Sequence, residues 1–173
     1  MAAVNPETVR DFLIDGLKNA HAMESQAITL TTAQASRLEH YPHLEKRLRE
    51  HLQETEGQRT RLETCLQELG TSHSTLKDLG LQASGAFMAM FHAAAPDEVI
   101  KNTLASYAFE HFEIAAYKAL IEAAQLAGNA SVEQACRQNL AEEERMASWI
   151  DENLPELVRK YVGRTSVGVE SKH

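Results

Sequence analysis

A chain of 173 residues is long enough to bury one sizeable core, and one domain is the natural expectation. Its net charge of −8, with no Lys/Arg cluster above ordinary helix surface, argues against nucleic acid as a partner. Glycine and proline are scarce at 8 and 4, aromatics make up 6%, and Ala, Leu, Glu and Gln dominate without alternating β-branched stretches, which is an all-α composition.

The N-terminal stretch carries Glu7, Asp11 and Asp15 and no continuous apolar core, so no signal peptide is expected. No apolar run approaches the roughly 18 residues of a membrane span. Cys65 and Cys136 fall on apolar helix positions and read as buried free thiols rather than a disulfide. The expected location is the cytoplasm.

In chain order, the first predicted helix runs from Pro6 to Glu39, capped by Asn5, with Pro6 at its first position and Glu7 near the positive end of its dipole. Its apolar stripe is Leu13, Leu17, Ala20, Ala27, Thr31, Ala35 and Leu38, with Glu24 at the middle and His21 at the edge. Pro42 disfavours helix at Tyr41 and makes the turn. The second helix, Pro42 to Leu69, turns Leu44, Leu48, Leu52, Leu62, Leu66 and Leu69 inward. His51 is central on that face, Glu54 lies towards its flank, and Gly70 stops the helix. Residues 71–96 read as a long connection with a shorter helix over Leu76 to His92, whose Phe87, Met88, Met90 and Phe91 cover an end or side of the bundle. The third helix starts near Pro96 and runs to Ala127, where Gly128-Asn129 breaks it. The fourth follows from Ser131 to Lys160, with Val132, Cys136, Leu140, Ala147, Ile150, Leu154 and Leu157 inward and Glu143 near the centre of the stripe. Pro155 is expected to kink or end it early. One domain over residues 1–160 and a polar, disordered tail over 161–173 complete the organisation.

The third helix poses the functional question. At about 100° per residue, Val99, Ile114, Tyr117, Ile121 and Ala124 share one stripe, and Glu110 and Glu113 fall inside it. A carboxylate there is costly to bury unless it is paired, protonated or metal-bound. Glu24 and Glu54 are 30 residues apart, with their midpoint at the first turn, and Glu113 and Glu143 are also 30 apart, with theirs at the last. In antiparallel hairpins each pair would share one height, and a shift of 89 residues overlays one hairpin on the other. Long helices joined by short, long and short connections suggest a four-helix bundle with one crossover. Several carboxylates at one level repel if all are ionised, so protons or cations must accompany them. Oxygen-rich donors with an imidazole suit iron or manganese better than a structural zinc. Chance placement of acids in an incidental polar core is the plainer alternative.

The segments Ala22-Met23-Glu24, Glu50-His51-Leu52-Gln53-Glu54-Thr55, Glu110-His111-Phe112-Glu113-Ile114-Ala115-Ala116-Tyr117 and Leu140-Ala141-Glu142-Glu143 resemble the YciE/YciF family of bacterial stress-associated proteins in the ferritin-like superfamily. The resemblance runs over about residues 8–160. It implies a ferritin-like bundle, a homodimer, and a di-iron or di-manganese centre held by Glu24, His51, Glu54, Glu110, Glu113 and Glu143, with Glu113 bridging and Glu110 terminal by analogy. One departure stands out. Ferritin-like di-iron enzymes usually place Glu-x-x-His on the second and fourth helices, whereas Gly57 and Met146 hold those histidine positions here, and the imidazole comes before the acid as His51-x-x-Glu54, which leaves open whether His51 or Glu54 is the ligand. His21 and Glu142 are second choices, His111 points off the stripe, and Tyr107 and Tyr117 read as core residues with satisfied hydroxyls. Three functions are open: a redox site meeting oxygen or peroxide, metal storage without turnover, or a structural protein whose metal only stabilises the bundle.

Overall fold

The computed structural model describes residues 5–71 and 97–171. Four helices account for nearly all of them: α1 (Pro6–Ala35), α2 (Pro42–Glu68), α3 (Glu98–Leu126) and α4 (Ala130–Ser166). They form an all-α four-helix bundle of two hairpins, in which α1 packs on α2 and α3, and α4 on α3 and α2. No helix among the described residues is long and apolar enough to cross a membrane.

Contacts at the ends fix the direction of each helix. Arg10 donates to the Leu69 carbonyl at 2.9 Å, and the Ser131 hydroxyl donates to Glu68 at 2.8 Å, so α1 and α4 begin where α2 ends. Arg37, just past α1, pairs with Glu98 at 2.7 Å at the start of α3. The third helix therefore runs parallel to α2, and a long connection must separate them in sequence. The helix expected over Leu76 to His92 lies outside the described residues.

Local signals explain most helix ends. Asn5 caps α1 by accepting from the Glu7 amide at 3.0 Å, with Pro6 as the first helical residue. Gly70 and Gly128 adopt positive φ, +80° and +64°, closing α2 and α3 as a side chain could do only under strain. Two ends differ from expectation. The first helix stops at Ala35 rather than Glu39, because a tightened turn over residues 36–39 lets Leu38 and Tyr41 both reach the core and frees Arg37 for Glu98. The fourth runs through Pro155 and past Lys160 to Ser166. Asp151, whose carbonyl loses its partner to the proline, lies on the exposed face, and Leu157 and Tyr161 beyond it pack on the core. The last described residues fold back, with the Tyr41 hydroxyl donating to the Ser171 carbonyl at 2.6 Å.

The core has two apolar clusters. One holds Leu13, Leu17, Leu62, Leu66, Ile121 and Cys136, and the other Leu38, Tyr41, Leu44, Leu48, Val99 and Ile150. On α2 and α4 buried polar residues separate them, His51, Gln58, Asn139 and Glu143, and on α1 and α3 the acids Glu24, Glu110 and Glu113 are buried at the edge of the first cluster. The bundle thus encloses a charged layer between two greasy ones.

Candidate metal centre

All four helices contribute to that layer. Glu24 comes from α1, His51 and Gln58 from α2, Glu110 and Glu113 from α3, and Glu143 from α4. On α3, positions 110, 113 and 117 recur at helical spacing along the inward stripe, so the pattern that buries Tyr117 also buries both acids.

His51 lies among the acids. Its Nε2 is 3.4 Å from Glu110 Oε2 and 3.5 Å from Glu143 Oε2, while its Nδ1 is 3.2 Å from Glu54 Oε2. Among the described residues, His51, Glu110 and Glu143 form a group in which each offers one donor atom within 4.8 Å of the others. The Gln58 amide donates to Glu143 Oε1, and the Tyr117 hydroxyl donates to Glu24 Oε1. Asn139 supports Tyr117 by donating to its oxygen at 2.9 Å, and Arg61 donates to Asn139 at 2.6 Å.

The electrostatics follow from crowding carboxylates in a dry place. Burial raises the Glu24 carboxyl to about 8, although Tyr117 and His51 pull the other way. Burial also pushes Glu113 well above its ordinary range, helped by Glu143, Glu24 and Glu110, and it raises Glu143 beside Glu110. Glu110 goes the other way: burial opposes its ionisation, but the adjacent His51 outweighs it. For His51, burial disfavours the cation, yet Glu110, Glu54 and Glu143 together raise it well above the usual imidazole range. Without a cation, then, the cluster must hold protons.

The donor set fits a metal. Glu24 Oε2 and Glu113 Oε1 are buried without a donor in hydrogen-bonding geometry, and the buried Glu110 Oε2 and Glu143 Oε2 have only the long contacts to His51 Nε2. Buried oxygens left without a donor are expensive, and a cation between them would satisfy them together. Four carboxylates and an imidazole suit iron or manganese.

Of the residues singled out in the sequence, Glu24, His51, Glu110, Glu113 and Glu143 come together here. Glu54 sits beyond the Nδ1 edge of His51, one-quarter exposed and paired with Arg47 and Arg145. His21 pairs with Glu63 at 3.0 Å and Glu142 with Arg61, so each has a partner outside the cluster. His111 is exposed, edge-on to Tyr107, whose hydroxyl donates to Asp151 at 3.3 Å. Gln58 and Asn139 were not anticipated. Their signal was available, since Gln58 follows His51 and Thr55 on the inward stripe of α2, and Asn139 falls between Cys136 and Glu143 on that of α4.

Fold and site together define an all-α bundle whose buried His/Glu cluster could hold a metal ion. The chain belongs to the family described as "Domain of unknown function (DUF892)", whose model matches residues 8–163. A crystal structure of a protein from Xanthomonas campestris pv. campestris is similar to it at 38% identity and a TM-score of 0.78, covering 92% of this chain and 99% of that one. YcfI from Rhodopseudomonas palustris is similar in fold, with 23% identity, a TM-score of 0.65, and coverage of 87% and 98%.

Proposed function

We propose that this chain is a ferritin-like metalloprotein of the YciE/YciF kind, a cytoplasmic homodimer whose buried cluster holds a dinuclear iron or manganese centre that meets oxygen or peroxide under stress. The observation that carries the reading is the set of buried carboxylates of Glu24, Glu110, Glu113 and Glu143 around His51, each with an oxygen that lacks a well-placed hydrogen-bond donor. Glu24, His51, Glu110, Glu113 and Glu143 would hold the ions, with His51, Glu110 and Glu143 near enough to one another to share one of them. Bound there, such metals supply one-electron chemistry towards small oxidants and Lewis acidity. The protein's own part is to fix the donors. Gln58 holds Glu143, Tyr117 holds Glu24, and the apolar layers on either side keep bulk water out.

A second reading has support of its own. The donors come from all four helices, so a metal there would cross-link the whole bundle without any turnover, in storage or as a structural element. Oxygen or peroxide consumption by the metal-loaded protein separates these readings, and solution mass distinguishes a dimer from a cage.

Metal analysis of freshly purified and reconstituted protein is the decisive measurement. Iron or manganese is expected in the wild type and a clear loss of it in Glu113→Gln. The metal-free variant should be as stable as the metal-free wild type or more so, because an amide replaces a carboxyl that burial keeps from ionising. Wild-type protein that refuses both metals would defeat the proposal.

A further inference from the structure

Glu54 is an acid that the hairpin spacing paired with Glu24, yet it stands on the far side of the histidine from the other carboxylates. His51 presents Nδ1 to Glu54 Oε2 at 3.2 Å and, from the opposite edge of the ring, Nε2 to Glu110 and Glu143 at 3.4 Å and 3.5 Å. Both Glu54 oxygens are already engaged. Oε2 accepts from Arg47 Nη1 and Nη2 at 3.1 Å and 3.2 Å, and Oε1 accepts from Arg145 Nη2 at 3.3 Å. Arg145 is itself tied to α4 by donating to the Ala141 carbonyl at 3.0 Å. The carboxylate is therefore gripped between α2 and α4 on the outer side of the ring, in an open groove lined by Trp149, Glu144 and Ser148 as well.

An imidazole binds a metal through one bare nitrogen, and the hydrogen bond made by the other nitrogen decides which one that is. We infer that Glu54 is a positioning residue rather than a ligand: held by Arg47 and Arg145, it keeps the Nδ1–H of His51, so that a cation arriving between Glu110 and Glu143 displaces the proton of Nε2 and binds there. To become a ligand Glu54 would have to leave two guanidinium groups and pass around the ring to its other edge. The reversed order His51-x-x-Glu54 then has a meaning. The helix places the acid one turn after the histidine, where it can reach the back of the ring from the solvent side. The inference rests on the metal reading above.

The test uses the full chain, with Mn2+ uptake followed by electron paramagnetic resonance and the His51 ring nitrogens followed by 15N NMR with Zn2+ as a diamagnetic stand-in. Glu54→Gln should keep the wild-type number of bound Mn2+ ions but bind them roughly 10–100-fold more weakly. Wild-type protein should show a protonated Nδ1 and a metal-bound Nε2, and the variant should lose that single arrangement. Arg145→Met, at an exposed side chain, should weaken binding in the same direction and by less, again with unchanged stoichiometry. A lost metal equivalent in Glu54→Gln would make Glu54 a ligand and overturn the inference. Unchanged affinity and an unchanged tautomer in both variants would overturn it too. Wild-type protein that binds neither Mn2+ nor Fe2+ would instead remove the metal reading, and this inference with it.

Discussion

Cys65 and Cys136 sit in the same apolar cluster, both free, and burial raises their thiols to about 11 and about 12. The thiolate is the reactive form, so neither carries appreciable nucleophile at neutral pH. Both should resist a water-soluble disulfide reagent in the native protein and react fully only in denaturant. Rapid labelling of either without unfolding would contradict the packing. The same logic of cost explains which site residues could be read in advance. Glu24, Glu110, Glu113 and Glu143 stood out because a carboxylate in an apolar stripe breaks the pattern that buries it. Gln58 and Asn139 are buried as deeply, but neutral amides interrupt a stripe without raising the question of a counter-charge. Glu54 is harder to place from sequence, for a geometric reason. The 30-residue spacing fixes its height, whereas its angle about α2 places it on the flank that His51 and Thr55 do not share.

At the level of elements, ends set by one residue's chemistry were legible and ends set by distant packing were not. Asn5, Pro6, Gly70 and Gly128 act locally, and the helices obey them. The early stop of α1 depends on Glu98, 61 residues after Arg37, and the survival of α4 past Pro155 depends on Leu157 and Tyr161 finding the end cluster. No window of sequence contains those partners. The α3–α4 turn offers a clean measure of local chemistry. Asn129 accepts from the Val132 amide at 3.1 Å and so caps α4. Asn129→Ala should cost about 1 kcal/mol in urea unfolding. Its distance in sequence from every proposed metal donor predicts that metal stoichiometry stays the same. A change in stoichiometry would mean that the hairpin end governs the site.

On the scale of the whole molecule, the charged layer makes the bundle's stability a function of pH and of metal. The Glu24 carboxyl moves from 4.5 to about 8 on folding, so the metal-free native state holds a proton that the unfolded chain releases near pH 4.5. Its contribution is complete below about pH 4.5 and is lost as the pH rises through about 8. Glu113 and Glu143 are shifted the same way. His51, raised above 6.5, likewise contributes below that value and loses its contribution as the pH climbs through its folded pKa. Glu110 and Glu54 are lowered, and Glu54 reaches about 2, so their contributions are lost only on acidification below the ordinary carboxylate range. Between pH 5 and 8 the native state therefore binds more protons than the unfolded one, and each such group can remove up to about 1.4 kcal/mol per pH unit. The metal-free protein should lose stability steadily across that window in thermal unfolding. A bound cation takes the place of those protons, so affinity should rise with pH as binding releases them, and a ligand at about 100 times its Kd should add about 2.7 kcal/mol. Metal should thus raise the unfolding temperature most at the alkaline end and least near pH 5. A metal-free profile that stays flat from pH 5 to 8 would show that the layer is not protonated as its burial requires. A metal effect that shrinks with rising pH would show that the cation does not compete with those protons.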